Sequence, residues 1–318
     1  MQKHKRIYSA QHTMKAFMGK RIITDFLYQF AATNKPVAHA VNGDTLTFKT
    51  QDCFSGRIVN PTDLTTTFNY DSANPATGPV FVETAQPGDI LVVEILDIRV
   101  AQRGVVTTLP GCGPLSDTQE IRTKPIDIID GMAQFNDIQF PVEPMVGVIG
   151  VAPANGEVRC GFPGNHGGNM DCKQIKKGAI LYLPVQVEGA LFALGDLHAV
   201  MGDGELCGTG LEIAGEVDVR LSVLKGQSIA WPVLETPEKW YALANSEHYP
   251  DALKQAAEQM QSLICNAYGW DLTDAYLYMS LQSDTEICQA CKPCLVDLIV
   301  RVGTPKRSDK PLISRGEA

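Results

Sequence analysis

Three absences bound this 318-residue chain. It contains no apolar run of about 18 residues, so no membrane-spanning helix is expected. Its basic opening, MQKHKRIYSAQHTMKAFMGKR, is not followed by an apolar segment, so no secretory leader is expected and the location expected is cytoplasmic. Positive charge is scarce. Against 36 Asp and Glu stand 27 Lys and Arg, leaving a formal net charge of -9. Phosphates would be repelled, so neither nucleic acid nor a membrane surface is expected as a partner.

Familiar catalytic signatures are missing too. There is no G-x-S-x-G elbow, no S-x-x-K in a helix-opening context, no phosphate-binding P-loop and no G-x-G-x-x-G after a strand. The GDGELCG segment carries too many carboxylates to cradle a phosphate well. The nine cysteines read as reduced thiols. CQACKPC sets Cys288, Cys291 and Cys294 at C-x2-C spacing, but no fourth ligand lies nearby, so these are expected to be structural.

What the chain does have is glycine, proline and apolar residues: 28, 19 and 44%. That balance fits many short strands joined by turns. Residues 1–35 form a weakly patterned leader, with IITDFLYQF an early strand or short helix. PVAHAVNGDTLTFKTQDCFSG alternates around Asn42-Gly43-Asp44 and predicts a hairpin. GPVFVETAQPGDILVVEILDI repeats that logic. MVGVIGVAP and GAILYLPVQVEGALFALGDLHAV read as buried strands, and GTGLEIAGEVDVRLSVLKG as an alternating one. TPEKWYALANS, PDALKQAAEQMQSLICNAYG and LTDAYLYMSLQS predict helices, with Gly269 as the C-cap of the second. CLVDLIVRV returns to strand. The organisation expected is a β-rich core over 36–235, an α/β portion over 236–305 that completes the domain, and a disordered tail over 306–318.

Chemistry concentrates between Gly164 and Glu212. Asp196 and His198 are two apart on an expected strand, so they share a face and can reach one ion. Glu205, within Gly-Asp-Gly-Glu, could swing back to them. Turn chemistry explains the same pattern equally well. His166 and Asp171 lie in a glycine loop that could instead present backbone N–H groups to an anion or a carbonyl. Asp52 and Glu83 end apolar strands, where carboxylates are commonly solvated.

Those blocks, GFPGNHGGNMDCKQIKKGAILYLPVQVEGALFALGDLHAVMGDGELCGTGLEIAGEV above all, resemble the acetamidase/formamidase family in the same order over roughly residues 36–305. The resemblance implies a mainly β fold of sandwich-like antiparallel sheets with a small α/β subdomain near the C-terminus. It also implies hydrolysis of short amides to carboxylate and ammonia, a homodimer or higher homo-oligomer, and a bound divalent metal. Asp52, Glu83, His166, Asp171, Asp196, His198 and Glu205 are the polar residues inside the resembling blocks. Our own assignment gives Asp196 and His198 the ion, with Asp171, Asp52 and Glu83 as further ligands. Zinc is the first expectation and calcium the second. Glu205 moves the proton, and His166 belongs to a catalytic loop that helps polarise the amide oxygen. A small, dry pocket is expected. Two rivals remain: a thiol nucleophile at Cys53 or Cys172, and a binding protein without catalysis on the same scaffold.

Overall fold

ILVVEILDIRV opens on four consecutive apolar residues because both faces of the strand are covered there. It forms the strand Ile90–Val100 within a nine-stranded sheet. Leu91, Val93 and Ile95 enter one core, and Ile90 and Val92 another. The computed structural model describes residues 21–315. Among them, no helix is long and apolar enough to cross a membrane. The part of the leader over residues 1–20 lies outside the described residues. IITDFLYQF forms three short strands, Ile22–Ile23, Phe26–Leu27 and Gln29–Ala31.

The first core lies between this sheet and a twelve-stranded sheet, as a sandwich requires. Phe48 meets Phe192 edge-on across it, with ring centroids 5.5 Å apart. The alternating segment predicted from EVDVRLSVL is the strand Gly215–Leu224, which buries Val217, Val219 and Leu221. The second core lies on the other face of the nine-stranded sheet. There helices α1 (Tyr249–Tyr268) and α2 (Leu272–Gln282) lay Ala252, Ala256, Met260, Ile264 and Met279 over Trp240, Ala242 and Val300. Each fully buried large aliphatic side chain contributes about 1.5–3 kcal/mol. Gly269 closes α1 in the left-handed region (φ 70°), as expected of a C-cap, and Asp271 caps α2 through the N–H of Asp274.

The fold is therefore mainly β, as expected, but three local expectations fail. The turn at Asn42–Asp44 does not close a hairpin. Ala38–Ala40 pairs in parallel with Ala76–Val82 in the larger sheet, whereas Thr45–Thr50 pairs with Gly215–Leu224 in the other. The turn chemistry was real, but the chain uses it to cross between sheets. TPEKWYALANS is not a helix. Its residues form the strand Lys239–Ser246, because eight register pairs with Leu298–Pro305 and burial on both faces override a helix-forming composition. The expected disordered tail is anchored instead over 306–315, and residues 316–318 lie outside the described residues. Leu312 and Ile313 are buried in the second core, and Gln227 Nε2 donates to the Ser314 carbonyl.

Candidate active site

The strand Phe192–His198 lies inside the larger sheet, between Met145–Gly150 and Glu212–Ile213. Its register pairs run from Val148↔Gly195 to Val146↔Leu197, and between them Asp196 turns left-handed, with φ 55°. Asp171 (φ 39°) and Glu205 (φ 45°) are left-handed as well. Such backbone costs on the order of 1–3 kcal/mol per residue and persists where the surroundings enforce it, often at functional sites. Here it aims three carboxylates at one histidine. Two glycines make room. A Cβ on Gly147 would lie 2.6 Å from Asp171 Oδ1 and 2.8 Å from Asp196 Oδ2, and one on Gly210 would lie 2.7 Å from His198 Nδ1.

His198 Nε2 is the hub. Glu212 Oε1 lies 3.2 Å from it, and Asp196 Oδ1, Asp171 Oδ1 and Glu205 Oε1 lie 3.7, 3.9 and 3.9 Å away. All five residues are at most 6% exposed. Amides hold the rear of the carboxylates. Gln289 Nε2 donates to Asp171 Oδ2 (2.7 Å) and Glu205 Oε2 (3.1 Å), and Asn74 Nδ2 donates to Asp196 Oδ2 (2.7 Å). The inner atoms Asp171 Oδ1, Asp196 Oδ1 and Glu212 Oε2 have no hydrogen-bond partner.

Burial works against the ionised forms of Asp171, Glu205 and Glu212. It raises Asp171 well above the usual carboxylate range, helped by the charges of Glu205 and Asp196. It pushes Glu205 up to about 8 and raises Glu212. Burial alone would lower His198, but the Glu212 and Asp196 carboxylates outweigh it and hold the ring well above the ordinary histidine value. Positive charge at this spot is strongly favoured, whether it is a proton on Nε2 or a cation in its place. The donors fit a cation. Two groups, Asp171–His198–Glu205 and Cys53–Asp196–Glu212, have ligand atoms within 4.8 Å of one another. Carboxylate oxygens with one imidazole nitrogen are a zinc-type donor set, and a calcium site would ask for six to eight oxygens.

The carboxylates Asp171, Asp196, Glu205 and Glu212 line a cavity of about 470 Å3, walled in part by Phe54, Tyr70, Leu109, Phe162 and Leu295. This is not the small pocket expected. The acetamidase/formamidase family model matches residues 32–159 and 154–289. The chain belongs to the acetamidase/formamidase family. An acetamidase structure from Bacillus halodurans is 38% identical, with a TM-score of 0.86, covering 89% of this chain and 97% of that one. The structure of a predicted acetamidase/formamidase from the thermophile Thermoanaerobacter tengcongensis is 40% identical, again with a TM-score of 0.86, covering 90% and 95%. An acetamidase of Mycolicibacterium smegmatis is 26% identical over 65% of this chain and 66% of its own. The chain spans just under two thirds of the length of the curated relatives it matches.

Within this acetamidase/formamidase fold, Asp171, Asp196, His198 and Glu205 converge, and Asp52, Glu83 and His166 do not join them. Asp52 is half-buried beside the group but spends its oxygens on the N–H groups of Phe54 and Gly56, shaping the loop that carries Cys53. Glu83 follows the strand Ala76–Val82, which starts beside Gly195 and runs away from it. At about 3.3 Å per residue it ends on the order of 20 Å off. There Glu83 pairs with His39 at 2.8 Å, both side chains largely exposed. His166 is buried edge-on to Phe30 (5.3 Å), away from the carboxylates, and burial lowers it to about 4. In its loop, Asn165 faces outward to Gln186, whereas Asn169 reaches the cavity wall.

Sequence reasoning missed Glu212, Gln289, Asn74 and the two glycines. Glu212 had a faint signal, as a carboxylate in an otherwise apolar GLEIAG. Its role comes from lying directly across the ladder from His198.

Proposed function

We propose that this chain is a metal-dependent amidohydrolase, cleaving short-chain amides of the formamide/acetamide type to carboxylate and ammonia. The observation that carries the reading is the set of four buried carboxylates around His198, with inner oxygens left unpartnered, at the base of an apolar-walled cavity. Relatives named acetamidase and formamidase support it.

Asp171, Asp196, His198 and Glu212 would hold the cation. When bound, a divalent ion supplies Lewis acidity, which polarises a carbonyl and acidifies water. The remaining work falls to the chain. Gln289 keeps Asp171 and Glu205 in register by donating one amide N–H to each. Glu205 takes the proton from the attacking water and delivers it to the departing nitrogen, so that amide and water leave as acid and ammonia. Burial tunes Glu205 towards neutrality, where proton transfer in both directions is practicable. The apolar wall excludes bulk water and strengthens each electrostatic contact inside.

Chemistry at a thiol is less well supported. Burial, Glu212 and Asp196 raise Cys53 well above the ordinary thiol value, which suppresses the thiolate. Cys172 does not line the cavity. The cavity itself supports a second reading of the substrate. Acetamide, with four heavy atoms, needs roughly 100 Å3 at about 30 Å3 per water-sized group. The available space and its apolar wall favour a longer or cyclic acyl group on the same amide chemistry. Self-association is part of the proposal, supported by the exposed Leu272, Tyr276, Leu277 and Leu281 of α2. Light scattering of the purified protein gives the subunit number.

Ammonia release is measured over amides of increasing acyl length, with metal content, before and after chelation. Turnover that disappears with the metal and returns with added zinc is expected. Turnover indifferent to complete removal of metal would overturn metal dependence. No turnover of any amide by metal-replete protein would overturn the enzyme reading.

A further inference from the structure

The cysteines of CQACKPC separate in the fold. Cys288 is fully buried, and Arg301 Nη1 lies 3.6 Å from its sulfur and 3.8 Å from that of Cys172. Neither Cys172 nor Cys288 borders the cavity. Cys291 and Cys294 do, and their sulfurs are 3.1 Å apart. One four-residue turn brings them together, closed by the N–H of Cys294, which donates to the Cys291 carbonyl at 3.5 Å. The two differ in access: Cys291 is 4% exposed, whereas Cys294 is half-buried. Backbone ties this turn to the acids. The N–H of Ala290 donates to the Gly204 carbonyl at 3.0 Å, and Gly204 donates in turn to the Cys288 carbonyl at 2.8 Å. Between those ties sits Gln289, whose amide donates to Asp171 and Glu205. On the far side, the N–H of Gly113 donates to the Cys291 carbonyl at 2.5 Å.

Buried cysteines ordinarily pack as small apolar groups. A reachable thiol in contact with a second, shielded one is instead the arrangement of thiol–disulfide exchange, in which one sulfur attacks and the other resolves. We propose that Cys291 and Cys294 form a reversible dithiol–disulfide site in the cavity wall, oxidised by low-molecular-weight disulfides, and that its oxidation disturbs the Gln289 amide. This replaces the expectation that Cys291 and Cys294 are merely structural. Cys294, as thiolate, attacks one sulfur of the small disulfide, forming a mixed disulfide and expelling one small thiolate. Cys291 then gives up its proton and attacks the Cys294 sulfur, expelling the second. Two protein thiols lose two electrons and two protons, and the small disulfide leaves as two thiols. A disulfide demands a torsion near 90° about the S–S bond, which a contact between thiols does not. The turn must therefore re-set, and its ties carry the change to Gly204, beside Glu205, and to Gln289. The site is independent of amide hydrolysis; its effect on turnover rests on the function proposed above.

The test treats the reduced full-length protein with oxidised glutathione and maps its peptides by mass. Expected is the loss of two hydrogens from the peptide that holds both Cys291 and Cys294, restored by dithiothreitol. Cys291→Ser should trap glutathione on Cys294, because nothing resolves it, and Cys294→Ser should give neither product. Circular dichroism checks that each variant folds. Hydrogen exchange reads the coupling without any substrate: amides over 202–208 and 284–294 should change several-fold on oxidation in wild type and not in Cys294→Ser. Amide turnover should fall on the order of 10-fold in the oxidised protein, short of the roughly 10²-fold that 1 Å of misplacement can cost, and recover on reduction. Absence of the Cys291–Cys294 link in folded wild-type protein would overturn the site, as would a link mapped to Cys112 instead. A link that leaves exchange and the rate of an active enzyme unchanged would overturn the coupling. If link and exchange behave as expected but even the reduced protein turns over no amide, the site stands and the amidase reading fails.

Discussion

His166 and His198 are each about 1% exposed and lie in the same glycine-rich stretch, yet they are driven in opposite directions. Burial lowers His166 to about 4, because its ring meets Phe30 and no carboxylate. His198 suffers the same burial, but Glu212 and Asp196 overturn it. Neighbours rather than depth decide which histidine can hold a charge. For His166 the protonated form is the costly one; for His198 it is the neutral form without a cation.

The sharpest way to break this contrast is to remove each ring in turn. His198→Ala, or Asp196→Asn beside it, should abolish turnover and release the cation from the carboxylate site, as metal analysis and ammonia assays would register. Normal occupancy and normal rates in both variants would sink the site. Next in size is Glu205→Gln, expected to lower the rate by about 10²–10⁴-fold with metal retained. If that variant loses the metal, Glu205 is a ligand and the proton carrier is another group.

How far the sequence foretold the site follows from its geometry. Asp196 and His198 were legible because they are neighbours on one strand. Glu205 and Asp171 were legible because glycines beside acids announce tight turns. Glu212 was not, since only the ladder pairing sets it opposite His198, and one sequence cannot reveal register between distant strands. Gln289 and Asn74 hide for the same reason: they act over separations of 118 and 122 residues. The sheets were read well where alternation or two-sided burial left a mark. Lys239–Ser246 was misread because its composition favours helix while its partner strand imposes extension.

Smaller effects test the scaffold behind the contrast. Gly147→Ala places a methyl group 2.6 Å from Asp171 Oδ1, so it should cost about 1–3 kcal/mol and weaken cation binding, visible as a lower Tm and a raised dissociation constant. An unchanged Tm would mean the strand relaxes freely. His166→Phe should leave the rate within a few-fold of wild type. Its main effect is on stability. Because the folded-state value lies below the unfolded one of about 6.5, wild-type protein loses stability as pH falls from about 6.5 towards 4. The variant should lose less across that window in urea titrations. A rate drop like that of Glu205→Gln would restore His166 to catalysis. Last, Glu83→Gln removes only an exposed pair and should change stability by under about 1 kcal/mol and activity not at all.

Gln289 has a temporal consequence. It sits on the strand Asp284–Gln289, at the edge of the nine-stranded sheet, and clamps two acids that were made long before it. A chain emerging from the ribosome has completed Asp171, Asp196, His198, Glu205 and Glu212 well before their clamp exists. Until that strand docks, Asp171 and Glu205 lack the amide that donates to both. A chain interrupted before Gln289 would therefore carry both acids without the side chain that sets their spacing.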